Sequence, residues 1–141
     1  MAGLPDSARE VIESDALAHL ATLNPDGSPQ LSCVWVGLDG DEIVCGHLPR
    51  NRKVRNIERD PRVVLSIEAE GMSHGALKHY LIVYGNARIT EGGAAELLQR
   101  LAHTYLGPDV VFPGTPDPPP GYVTRIAVDR VAGVGPWASG P

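Results

Sequence analysis

The chain has 141 residues, 43% of them hydrophobic, and a formal net charge of −5. That size suits one domain, residues 1–141, with enough apolar content to exclude disorder, and no apolar run approaches the ~18 residues of a membrane-spanning helix. An acidic chain lacks the broad positive face of a nucleic-acid binder, and two cysteines, Cys33 and Cys45, are too few for a disulfide framework.

The N-terminal "MAGLPDSAREVIESD" has no charged-then-apolar leader pattern, so a cytoplasmic protein is expected; it reads as a short amphipathic helix with Val11 and Ile12 inward. A first strand follows at 16–23, then the turn "NPDGS". The second strand, 29–38, is two-sided: Leu31, Cys33 and Trp35 on one face, Gln30, Ser32, Val34 and Val36 on the other. Asp39-Gly40 signals a hairpin into a third strand, 42–47. With Leu38 opposite Asp41, Cys33 would face Gly46 and Cys45 would face Val34, so the thiols point to opposite faces and stay free.

"RNRKVRNIER", 50–59, reads as a helix with Val54 and Ile57 inward, ended by Asp60-Pro61. A fourth strand at 62–69 and the loop "GMSHG" come next, then a long fifth strand at 79–90 with a bulge expected at Gly85. Residues 92–106 form a helix burying Leu97, Leu98, Leu101 and Leu106; 107–120 is a Pro-rich loop; 121–137 is the last strand and a tail. Six strands joined mostly by tight turns, with helices between them, predict a mainly β fold with an antiparallel barrel.

The charge is unevenly spread. Between Arg50 and Arg62 there are six basic residues against two acidic ones, while the remaining chain holds six basic and fifteen acidic. Arg50, Arg52, Lys53 and Arg55 crowd the start of a helix, where the dipole already places positive charge. Two arrangements relieve this. The side chains fan into water and pair with surface acids, or they converge on an anion that also meets the free N–H groups of the helix terminus. The second points to a phosphorylated or polycarboxylate small ligand.

Other signals carry less. His74 and His79 have no third ligand near in sequence, so no metal site is expected. "PPGY" is a short match of a kind common in loops, and "GVGPW" lacks the strand-to-helix setting of a dinucleotide fingerprint.

The order "HLATLNPDGSPQLSCVWV", a DG hairpin, "RNRKVRNIERDPRVVLSIE", "YLIVYGNARIT" and "RVAGVGPW" resembles the split β-barrel oxidoreductases related to pyridoxamine 5′-phosphate oxidase. More narrowly, it resembles the actinobacterial branch that uses the deazaflavin coenzyme F420. The likeness spans residues 14–137, and the Pro-rich loop 107–120 departs from it. It implies a six-stranded split barrel, a homodimer with cofactor grooves between subunits, and hydride transfer from the reduced deazaflavin to a small unsaturated or heteroaromatic substrate. By the same likeness Gln30, Ser32 and Val34 face the cofactor ring, and Lys53 holds the phosphate with Arg52, Arg55 and Asn56 near it and Arg50 in the same basic segment. Trp137 would reach the cofactor or the partner subunit. His47 is a candidate proton donor at the site, as are Tyr80, Tyr84 and Tyr122.

FMN and the deazaflavin both present a phosphate. The deazaflavin adds a tail of several carboxylates, and six basic residues exceed what one phosphate needs, which favours it. An FMN-binding oxidoreductase of the same fold and a non-catalytic carrier or sensor of F420 or a related anionic ligand stay open.

Overall fold

The computed structural model describes residues 4–73 and 75–138. His74, half of the histidine pair set aside above, lies outside them. Seven strands form one antiparallel sheet, not the six expected. The additional strand arises where the expected second strand breaks. Residues Pro29–Val34 (β2) pair with Ala18–Leu23 (β1), and after Trp35 and Val36 the chain resumes as Gly37–Asp39 (β3), paired with Glu42–His47 (β4).

The remaining strands are Arg62–Ser73 (β5), Leu77–Glu91 (β6) and Tyr122–Val134 (β7), and the order across the sheet is β2-β1-β5-β6-β7-β4-β3. Its two edges are therefore successive pieces of one chain segment. The sheet curls until those edges meet at Trp35–Val36, but no ladder closes it there. This is a split barrel in which a covalent seam stands in for the last strand pair.

This topology overturns the expected register of the cysteines. Cys33 lies opposite His19 on β1, and Cys45 lies opposite Thr124 on β7. Asp39 pairs with Glu42, so the hairpin loop is Gly40-Asp41, one residue later than expected. Both thiols are free, Cys33 exposed and Cys45 buried.

Alternation drives the core. Leu20, Leu65, Ile67, Leu81, Val83 and Ile126 point inward from four strands and are fully buried. Each such side chain contributes roughly 1.5–3 kcal/mol of hydrophobic stabilisation. Asp6–Ile12 (α1) buries Ala8, Val11 and Ile12 against this core, as its apolar spacing requires.

The bulge expected at Gly85 is carried by β7. Tyr84 pairs with Arg130 and Gly85 with Val128, leaving Asp129 unpaired. A side chain at Gly85 would start 2.5 Å from the Ala127 carbonyl oxygen, so the glycine permits the close approach there. The expected "GMSHG" loop is partly strand, since β5 runs on through an irregularity between Glu68 and Met72.

Ala94–Tyr105 (α3) lies on β4, where Gly46 leaves room for Leu98. It buries Ala94, Leu101 and Ala102, whereas Leu97 and Leu98 are half-buried and Leu106 is exposed. No helix among the described residues is long and apolar enough to cross a membrane.

Candidate functional site

The basic segment folds as expected into a helix, Arg52–Arg59 (α2). Asn51 caps it: its side-chain oxygen accepts the Val54 N–H at 3.2 Å, and its carbonyl accepts the first intrahelical bond, from Arg55. Val54 and Ile57 are buried and seat the helix on the barrel. The N–H groups of Arg52 and Lys53 precede that first bond and face the terminus, where anions are favoured.

The six cations of the segment divide into two groups. Arg50 holds Glu58 through Nε and Nη2 at 3.0 and 2.6 Å. Arg62 holds Asp60 at 2.7 Å, which keeps that carboxyl down at about 2, and Arg59 donates to the Leu23 carbonyl. Arg55 donates to the Arg50 carbonyl at 3.1 Å. Among the described residues, Arg52, Lys53, Arg55 and Arg59 have no carboxylate partner within ion-pair distance; Arg59 stands in the last turn, so three such cations remain in the first turns of the helix.

Lys53 is half-buried and lines an open groove of about 380 Å³. Asn51 and His47 line it too, and Val34, Trp35, Leu98 and Phe112 are among its apolar members. His47 is buried, with Nε2 2.8 Å from Thr124 Oγ1. Burial, and then the charge of Lys53, holds its imidazole down to about 4, so it is neutral at pH 7. Tyr80, Tyr84 and Tyr122, the other proton-donor candidates, do not line this groove; Tyr84 lies under the Arg130 guanidinium at 3.8 Å. Cys33 lines the groove, while burial pushes the Cys45 thiol behind it up to about 12.

Gln30, Ser32 and Val34 share the inward face of β2, opposite Thr22, Leu20 and Ala18. Of the three only Val34 lines the Lys53 groove. Gln30 accepts from Thr22 Oγ1 at 3.1 Å. Ser32 Oγ is, among the described residues, the one buried side-chain oxygen or nitrogen without a hydrogen-bond partner. A buried hydroxyl with nothing to bond is costly unless a further group reaches it.

Asn56 departs from its expected role at the ligand. It is 2% exposed, and its amide donates to Thr22 Oγ1 at 3.0 Å and to Asn24 Oδ1 at 3.1 Å. It fastens α2 to the end of β1 and turns no atom to the groove. Arg50 is likewise engaged by Glu58. Trp137 lies elsewhere in the single chain: its indole N–H donates to the Tyr80 carbonyl at 3.2 Å, and its ring meets His79 edge-on. It lines a separate groove of about 620 Å³ rich in carboxylates, among them Glu10, Asp15, Glu68 and Glu70.

Sequence reasoning missed Trp35 and Phe112 as site residues. Phe112 is the single phenylalanine of the chain and stands in a loop otherwise rich in proline and glycine, the one signal that could have marked it. Among the described residues no group of three metal-ligating side chains converges.

The residues present fit an anionic, ring-bearing cofactor. Three cations without acidic partners stand in the first turns of a capped helix, and the groove that Lys53 lines is otherwise mostly apolar. An F420 reductase structure superposes with a TM-score of 0.73 at 25% identity, covering 92% of this chain and 98% of that one. The Mycobacterium tuberculosis protein Rv2991 matches with a TM-score of 0.69 at 24% identity, covering 92% of this chain and 84% of that one. HupZ from Group A Streptococcus matches with a TM-score of 0.65 at 20% identity, covering 98% and 99%, and shares the fold. The sequence pattern of pyridoxamine 5′-phosphate oxidase matches residues 4–135, nearly the whole length, and the chain belongs to that family.

Proposed function

We propose that the protein is a deazaflavin (F420H2)-dependent reductase that acts as a homodimer on a small unsaturated or heteroaromatic substrate. The observation that carries this reading is the unpaired, half-buried Lys53 at the N-terminus of α2, opening onto an apolar groove of about 380 Å³. The similarity to an F420 reductase over 92% of the chain supports the choice of cofactor. The reduced deazaflavin supplies hydride when bound. In this reading Lys53, Arg52 and Arg55 hold its phosphate and carboxylate tail. Val34 and the aromatic side chains keep water from the reacting face. His47, neutral and fixed by Thr124, offers a hydrogen bond and no charge. The accompanying proton enters from solvent at the open mouth of the groove.

The outer face of the sheet supports the dimer. Leu31, Ala21, Val64 and Tyr84 form one cross-strand row, alternating with the buried residues of the core. Leu31 is 65% exposed, and such a row on a sheet face fits an interface with a second copy.

The test is a pair of fluorescence titrations of the purified protein, one with F420 and one with FMN, followed by turnover with F420H2 and a panel of activated alkenes and quinones. Saturable F420 binding with acceptor-dependent oxidation bears the reading out. A yellow protein that binds FMN alone replaces it with a flavin enzyme, and tight F420 binding without turnover of any acceptor replaces it with a carrier.

A further inference from the structure

The Pro-rich loop departs from the family pattern, yet it is fastened at its middle as well as at its ends. Gln99 on α3 grips it twice: its Oε1 accepts the Phe112 N–H at 3.0 Å, and its Nε2 donates to the Val110 carbonyl at 2.8 Å. This holds the Phe112 ring 5.2 Å from the Trp35 ring, at an interplanar angle of 59°. Trp35 is also held by Tyr105, stacked at 5.5 Å and 9°. The Tyr105 hydroxyl accepts the Val36 N–H at 3.1 Å and donates to the Ala16 carbonyl at 3.2 Å, so the stack is bolted to the barrel seam. Trp35 and Phe112 both line the groove, and Lys53 lies on the same lining. The cavity therefore combines a cationic side chain with two rings held in place.

We infer that Trp35 and Phe112 determine acceptor specificity, selecting planar, apolar, ring-containing molecules. This rests on the reading of the groove as the reductase site. The physical reason is that two immobilised rings at a tilt present flat π surface with little rotamer freedom left to lose, so a planar acceptor gains stacking at low entropic cost. A branched aliphatic acceptor gains only general apolar contact. Leu98 and Val34 complete the wall without adding hydrogen-bonding groups.

The probe is menadione, a planar quinone. In the full chain carrying Trp137→Phe, Trp35 is the one remaining tryptophan, and its quenching reports occupancy of the wall. Saturable quenching is expected, with Phe112→Ala weakening it about fivefold or more, on the scale of one aromatic contact. Equilibrium dialysis of menadione against wild type and Phe112→Ala makes the same comparison without replacing Trp137. Absence of saturable quenching, or equal menadione affinity in the two proteins, overturns the inference. Quenching that depends on Phe112 in a protein that binds neither F420 nor FMN upholds the aromatic wall and refutes the cofactor reading alone.

Discussion

His47 Nε2 stands 2.8 Å from Thr124 Oγ1 in a contact that joins β4 to β7, with both residues buried and the ammonium group of Lys53 close enough to oppose protonation of the ring. The imidazole is thus held neutral by the fold, and its pH dependence follows.

In the folded protein His47 is lowered from 6.5 to about 4. Between these values the unfolded chain binds a proton that the folded chain refuses, so stability is full above about pH 6.5 and falls as pH drops toward about 4. At about 1.4 kcal/mol per unit, the loss is about 3 kcal/mol. Urea unfolding across this window is expected to show it, and His47→Gln, which keeps a hydrogen-bonding group but does not titrate, is expected to flatten the profile by that amount.

Lys53→Ala is expected to weaken F420 binding about tenfold or more, on the scale of roughly 1.5–3 kcal/mol for hydrogen bonds to charged groups. Arg50→Ala is expected to weaken it by less than about threefold, because Glu58 already engages that guanidinium. Fluorescence titration of both variants, with circular dichroism as the folding control, decides it. Equal losses would mean that Arg50 leaves Glu58 to meet the ligand.

Asn56→Ala removes two donated hydrogen bonds inside the barrel rim, those to Thr22 and Asn24. The expected cost is about 1–3 kcal/mol in urea unfolding, with F420 affinity in the folded variant unchanged. A variant of normal stability that binds F420 poorly would return Asn56 to the ligand surface.

Gly121 has φ +66, and a side chain there would start 2.5 Å from the His47 carbonyl oxygen. Gly121→Ala combines a left-handed backbone with overpacking beside β4, and a loss above about 2 kcal/mol is expected. Thermal unfolding within a degree of wild type would show that the β4–α3 contact yields.

Leu31→Glu places a charge in the exposed apolar row of the outer sheet face. Wild type is expected to scatter light as a dimer at micromolar concentration and the variant as a monomer. A monomeric wild type would remove the shared-groove arrangement while leaving the Lys53 site within one chain.

Local patterns were legible in the sequence, and contacts between distant segments were not. Val54 and Ile57 mark α2 by spacing and Asp60-Pro61 marks its end; it begins two residues later than expected, because Asn51 caps it. The break after Val34 was hidden, because Trp35 and Val36 continue the apolar run; only the curvature of the whole sheet splits β2 from β3, and with it moves Cys33 from β4 to β1. The basic cluster pointed to an anion, but counting charges could not tell that Arg50 reaches Glu58 or that Asn56 turns inward to Thr22. Phe112 was invisible for the opposite reason: its role depends on Gln99, thirteen residues away, gripping an otherwise irregular loop.

The seam at Trp35–Val36 has a mechanical meaning. It is the hinge of a clasp, and the indole at that hinge is also a panel of the binding chamber. A guest that rests on Trp35 binds the folded chain and not the unfolded one, so filling the chamber and resisting heat are one act, and the melting temperature rises with guest concentration.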